Sequence, residues 1–159
     1  MPKHGFLIVL FITAVACNCY AQTPAEINNS MQAITDSLFS QEVAWNNKFT
    51  ILKNTTRNFA ELAPIRTKLQ RYITIQTNRI ITMNAPDSKD VKQHMLHLLR
   101  FEKSMVDNVY MEFEKMNSRV GKDVIRKGME RLNDQTREQN KILSDLTAAQ
   151  QEYLVHGTM

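Results

Sequence analysis

Two histidines three residues apart, His94 and His97, follow a pair of aspartates, Asp87 and Asp90. On a helix, residues three and four apart are neighbours, so Asp90, His94 and His97 share a face. They are the candidate metal ligands of the chain. Imidazole and carboxylate in that spacing suit zinc or copper once another helix adds a ligand. The di-metal signature of helical bundles, Glu-x-x-His on two helices, does not occur in this sequence. Solvated histidines near a helix start are the simpler reading, and no metal is assigned.

Methionine is the other residue type with metal chemistry. Met31, Met83, Met95, Met105, Met111, Met116 and Met129 fall on expected helices, and thioethers bind copper(I) or adaptable protein clients. Five of them (Met31, Met83, Met95, Met105 and Met116) lie on apolar stripes, where methionine fills irregular core gaps. Covalent haem is excluded by the lack of Cys-x-x-Cys-His. No Gly-x-Ser-x-Gly elbow and no glycine-rich phosphate loop is present. Glu112 and Glu114 are two apart and point to different sides of a helix. With no step of active-site assembly legible, neither a catalytic residue nor a cofactor is expected, and an enzyme is disfavoured. Gln135, Gln139 and Gln150, with Trp45, suggest a polar-centred pocket between helices or a buried amide layer that fixes helix register; the layer is preferred.

The elements that must position these residues are helices. After residue 21 the only breakers are Gly121, Gly128, Gly157, Pro24, Pro64 and Pro86, too few for a sandwich or barrel. Thr23-Pro24-Ala25-Glu26 has the hydroxyl, proline and carboxylate of a capping box. From there Ile27, Met31, Ile34, Leu38, Trp45, Phe49 and Leu52 form one stripe, with Asn54-Thr55-Thr56 as the turn. Ile65, Leu69, Tyr72, Ile73, Gln76, Ile80 and Met83 keep helical spacing despite β-branched Ile73-Thr74-Ile75, since a lone strand would have no partner. Pro64 is tolerated if it falls in the first turn. A third helix is expected from Asp87 or Ser88, through Val91, Met95, Leu98, Met105, Val109, Phe113 and Met116, to Arg119, closed by Gly121. The fourth is expected from about Asp123 to Val155, with Ile125, Met129, Leu132, Ile142, Leu146, Ala149 and Tyr153 inward and a wetter middle at Gln135, Thr136 and Gln139.

Helices of about 25 to 33 residues run about 37 to 50 Å. Short connections make them antiparallel neighbours, so the fold expected is all-α: a four-helix up-down-up-down antiparallel bundle in one domain, residues 22–159. A tandem of two helical hairpins satisfies the same pattern.

Residues 1–21 read as a signal peptide. Lys3 gives a positive start, and Phe6 to Ala16 is an apolar run too short to span a bilayer. Cleavage after Ala21 leaves Gln22 first and no cysteine. The competing cut treats Ala14-Val15-Ala16-Cys17 as a lipobox with Cys17 lipidated. That box has Ala14 where leucine is expected and leaves Cys19 an unpaired thiol, so the first cut is preferred. An uncleaved membrane anchor is the third reading. The chain beyond Ala21 carries 19 Lys and Arg against 16 Asp and Glu, a formal charge of +3. These charges are scattered, which gives nucleic-acid binding little support. No second apolar run spans a membrane. The sequons at Asn28 and Asn54 matter only in a glycosylating host, and the compact signal ending in Ala-Gln points to a bacterium.

The layout resembles a family of small bacterial surface or lipoprotein-like helical proteins of unknown function. The resemblance is carried by the Ile-, Asn- and Gln-rich first helix and by Met83-Asn84-Ala85-Pro86. Leu98-Leu99-Arg100-Phe101, Tyr110, Phe113 and Ala148-Ala149-Gln150-Gln151-Glu152-Tyr153 complete it. It implies a helical fold in the cell envelope and brings no catalytic residues. Leu146-Thr147-Ala148-Ala149-Gln150 is similar to the Leu-Thr-x-x-Gln element of periplasmic stress chaperones and metal-responsive envelope proteins, which carry it twice, at helix starts. The function expected is therefore a non-enzymatic, exported envelope bundle acting through protein contacts with an unidentified partner. A chaperone-like or metal-responsive protein is the alternative.

Overall fold

In the computed structural model, residues 22–85 and 88–156 are described. The expected signal peptide, both cleavage readings and Cys17 lie outside them, as does Asp87. Four long helices account for the fold: α1 (Pro24–Asn54), α2 (Ala63–Thr82), α3 (Lys89–Met105, continued to Glu114) and α4 (Lys122–His156). Each packs on the next and α4 returns to α1. The cross-links run antiparallel. Lys53 lies beside Met129 and Glu42 beside Gln139, while Gln70 meets Asp107 and Lys92 meets the Met83 carbonyl. This is the up-down-up-down bundle, all α. Among the described residues no helix is long and apolar enough to cross a membrane.

The capping box forms as the sequence requires. Thr23 Oγ1 accepts from the Glu26 amide at 3.2 Å, and Glu26 Oε2 accepts from the Thr23 amide at 2.8 Å. At the other end of α1 the Arg57 amide donates to the Leu52 carbonyl, and Arg57 adopts φ 54°. That left-handed conformation is uncommon for a residue with a Cβ. A 3-10 turn, Phe59–Leu62, then buries Phe59 and Leu62 and delivers Pro64 into the first turn of α2. The β-branched segments of α2 are helical. The Thr74, Thr77 and Thr82 hydroxyls donate to carbonyls four residues back, which satisfies the threonines within the helix.

Three expectations need correction in α3 and the turn after it. Ser88 stands at the N-cap, yet its hydroxyl donates backward to the Ala85 carbonyl at 2.7 Å and caps no helix amide. The helix also stops at Glu114, five residues short of Arg119. There Asn117 Oδ1 accepts from the Arg119 amide at 2.9 Å and turns the chain. A short polar side chain has displaced the helix with a local turn. Gly121 does not close α3. Its φ is not positive, and its carbonyl accepts the first amides of α4, from Val124 and Ile125.

All seven stripe residues of α1 are buried, from Ile27 to Leu52. Trp45 anchors an aromatic cluster, stacked on Tyr110 at 4.1 Å and on Phe49 at 5.3 Å, with Phe113 edge-on at 5.7 Å. Aromatic pairs in these geometries add stability beyond their buried area. Gly128 lets α4 approach this cluster, because a Cβ there would stand 2.9 Å from the Phe113 ring. Between Val106 and Tyr110 the helix widens into one π-turn, and Val106, Val109 and Tyr110 all face the core. Such a turn re-aims side chains inside an otherwise regular helix and is frequent at functional sites.

Candidate functional site

Two acidic residues occupy stripe positions. Glu42 follows Leu38 by four and precedes Trp45 by three; Glu102 stands likewise between Leu98 and Met105. Helical spacing therefore turns both carboxyls inward. Glu42 is 7 % exposed and Glu102 is 1 % exposed. They meet at Gln139, the polar break in the α4 stripe. Gln139 Nε2 donates to both oxygens of Glu42 at 3.0 Å and to Glu102 Oε1 at 2.6 Å. The amide has two hydrogens, one for each carboxyl, with the one toward Glu42 shared between its oxygens. Among the described residues no N–H group donates to Glu102 Oε2.

No Lys, Arg or His among the described residues forms an ion pair with either carboxyl. An unpaired buried charge is costly, and a carboxyl avoids the cost by keeping its proton. Burial is the main force that pushes Glu102 up to about 9, followed by the Glu42 charge and the hydrogen bond a retained proton makes to Glu42. The Gln139 amide works in the opposite direction and is outweighed. At neutral pH Glu102 is thus a neutral acid. Burial, with Glu42 and then Glu102 nearby, also raises Tyr110, which stays a neutral phenol.

The trio forms part of the wall of a cavity of about 320 Å³ between α1, α3 and α4. Leu38, Leu98, Met105 and Leu143 supply apolar wall, while Asn46, Asn133, Thr136 and Asn140 add amides and a hydroxyl. Phe39 and Val43, both exposed, lie one turn apart at its rim. Tyr110 lines it from the π-turn, so the same ring faces the cavity and carries the Trp45 stack. Size, apolar lining, a few convergent polar groups and a perturbed carboxyl are together the usual marks of a ligand site. The basic side chains Lys53, Arg57, Lys122 and Arg126 line a separate, more open cleft.

The residues singled out from sequence fall elsewhere. His94 is half-buried, and His97 and Asp90 are exposed. Among the described residues no three His, Cys, Asp or Glu side chains converge as a metal would need. Met31, Met95 and Met105 are core residues, and Met83 and Met116 pack partly against the core. Gln135 is half-buried and Gln150 buried. The preferred amide layer is replaced at Gln139 by a bridge between two carboxyls. Glu112 and Glu114 do diverge, toward Arg131 and Arg66 respectively. Sequence reasoning missed Glu42 and Glu102 altogether, although each stood at a stripe position. Compared with known proteins, the chain matches no family model, no curated protein and no solved structure.

Proposed function

We propose that this chain works by binding and not by turnover: an exported helical bundle of the bacterial cell envelope that takes a small ligand into the cavity between α1, α3 and α4. The observation that carries this reading is the buried Glu42–Gln139–Glu102 trio in the wall of that cavity. Two buried carboxyls bridged by one amide, with no cation paired to either, are expensive as pure scaffold, whereas a ligand that supplies the cation offsets the cost. Acting against catalysis, the cavity presents the Glu42–Glu102 pair, Asp36 and one phenol but, among the described residues, no serine, cysteine or lysine nucleophile for them to activate. The export half of the proposal rests on residues 1–21 and on the envelope-family resemblance.

Purified protein tested against C4–C8 alcohols, amines, amides and carboxylates decides the binding claim. Trp45 is the lone tryptophan and stacks on the cavity-lining Tyr110, so its fluorescence reports occupancy. A ligand at one hundred times its Kd should also stabilise the fold by about 2.7 kcal/mol. Thr136→Phe, which fills the mouth without adding a second tryptophan, should abolish both signals. Failure of every compound to change either would refute the reading.

A second reading has one observation in its favour. Phe39, 65 % exposed, and Val43 sit one turn apart at the rim, an apolar edge suited to contact with another protein or an unfolded client. If the bundle is chaperone-like, substoichiometric protein should suppress aggregation of a denatured client, and Phe39→Ser should remove the effect. No suppression at excess would eliminate this reading.

A further inference from the structure

The cavity is lined by acidic side chains with no basic partner among the described residues. Gln139 Nε2 gives its two hydrogens to Glu42 and to Glu102 Oε1, and Glu102 Oε2, on a side chain 1 % exposed, is left to the proton that the acid retains toward Glu42, so one proton and one amide are all that stand between two buried carboxyls. The charged and titratable groups around that oxygen are all acidic or neutral. Glu42 faces it from α1, the Tyr110 phenol from the π-turn of α3 and only the Gln139 amide from α4. Asp36 of α1 stands at the mouth, and among the described residues no part of α2 and no Lys, Arg or His lines the cavity. In a chain of net charge +4, this is a pocket of the opposite sign.

We propose that the cavity takes a primary ammonium carried on a short apolar chain, with the ammonium seated between Glu42 and Glu102 and the chain along Leu38, Leu98 and Leu143. This rests on the reading of the cavity as a binding site and names its ligand class. An ammonium has three donors, enough to take the place of the Glu102 proton between the two carboxyls, and its charge-assisted hydrogen bonds are the strong kind. A divalent metal fits less well. Calcium wants six to eight oxygens, and zinc prefers imidazole or thiolate; neither imidazole nor thiolate lines the cavity. The volume, about 320 Å³, equals about ten waters at ~30 Å³ each, which suits an unbranched chain of four to eight carbons. Entry of the cation expels the Glu102 proton to solvent, so binding and proton release are linked.

Calorimetric titration of the purified protein with n-hexylammonium at pH 7, in phosphate and again in HEPES, tests this. Saturable binding is expected, with a heat that differs between the buffers because a proton is released. Glu102→Gln and Glu42→Gln should each weaken it at least tenfold, while circular dichroism stays helical. Glu102→Gln keeps the neutral hydrogen-bond pattern of the free site, so it remains informative even if Glu42→Gln unfolds. If n-hexanol binds as tightly as n-hexylammonium, or Glu102→Gln leaves the affinity unchanged, the ammonium assignment falls and the cavity remains a binding site. If neither compound binds, the ammonium assignment falls, and the binding reading falls with it when the amides and carboxylates of the same chain lengths are silent too.

Discussion

Replacing Glu102 by Gln should stabilise this protein at neutral pH and flatten the dependence of its stability on pH. The amide reproduces the protonated acid: its oxygen can accept from Gln139, now at 2.6 Å from Glu102 Oε1, and its NH₂ can donate toward Glu42. Folding holds the Glu102 proton up to about pH 9, against an ordinary carboxyl value of 4.5. Between those values the unfolded chain has lost the proton and the folded chain has kept it. Stability therefore falls as pH rises through that window and is unaffected by this group below it. Each pH unit corresponds to roughly 1.4 kcal/mol, so from pH 5.5 to 7.5 the wild-type chain should lose on the order of 3 kcal/mol to this one carboxyl. Urea unfolding followed by circular dichroism at half-unit pH steps gives both curves. The wild-type curve should descend relative to the variant, and the variant should be the more stable at pH 7.5. Parallel curves, or a variant less stable than wild type at pH 7.5, would refute the claim that Glu102 is folded in as a neutral acid.

Other expectations follow from the same packing. Gly128→Ala gains helix propensity of up to about 1 kcal/mol, but the new methyl presses on the buried Phe113 ring at 2.9 Å. Overpacking of that kind costs about 1–3 kcal/mol, so a net loss near 1 kcal/mol should appear in thermal unfolding. His94 and His97 converge with no third ligand among the described residues. Zinc or copper uptake should accordingly be unchanged in a His94→Ala, His97→Ala double variant; a tenfold loss of affinity would restore the metal site. Mass spectrometry of the mature protein should find Gln22 at the N-terminus. A lipidated Cys17 would select the other cleavage, and an intact Met1 in the cytosol would contradict export.

The apolar stripes were legible because helical burial repeats every three to four residues, and the chain keeps that rhythm from Ile27 to Leu52 and from Val91 to Phe113. The trio was hidden by the same rhythm. A search for apolar periodicity steps over Glu42 between Leu38 and Trp45, and over Glu102 between Leu98 and Met105. The signal was nonetheless present: an acid on each of two stripes, and Gln139 breaking a third. What the sequence lacks is depth. Whether three polar breaks on three helices lie at one level depends on the reversal at Asn54–Ala63, including its 3-10 turn, and on where Asn117 ends α3. The π-turn at Val106–Tyr110 had no visible cause, since neither proline nor glycine marks it, yet it sets the position of Tyr110. Gly121 misled for a related reason: a glycine between two helices can serve either one, and here it opens α4.

The most direct measurement is a carbon-13 NMR titration of the glutamate side-chain carboxyls, with Glu102 assigned by its absence in Glu102→Gln. The account requires the Glu102 carboxyl to be protonated at pH 7 and to ionise near pH 9, or at lower pH once n-hexylammonium is bound. Ionisation near 4.5 in the free protein would contradict it, because the acid would then have solvent or a cation where the fold provides only Glu42 and an amide.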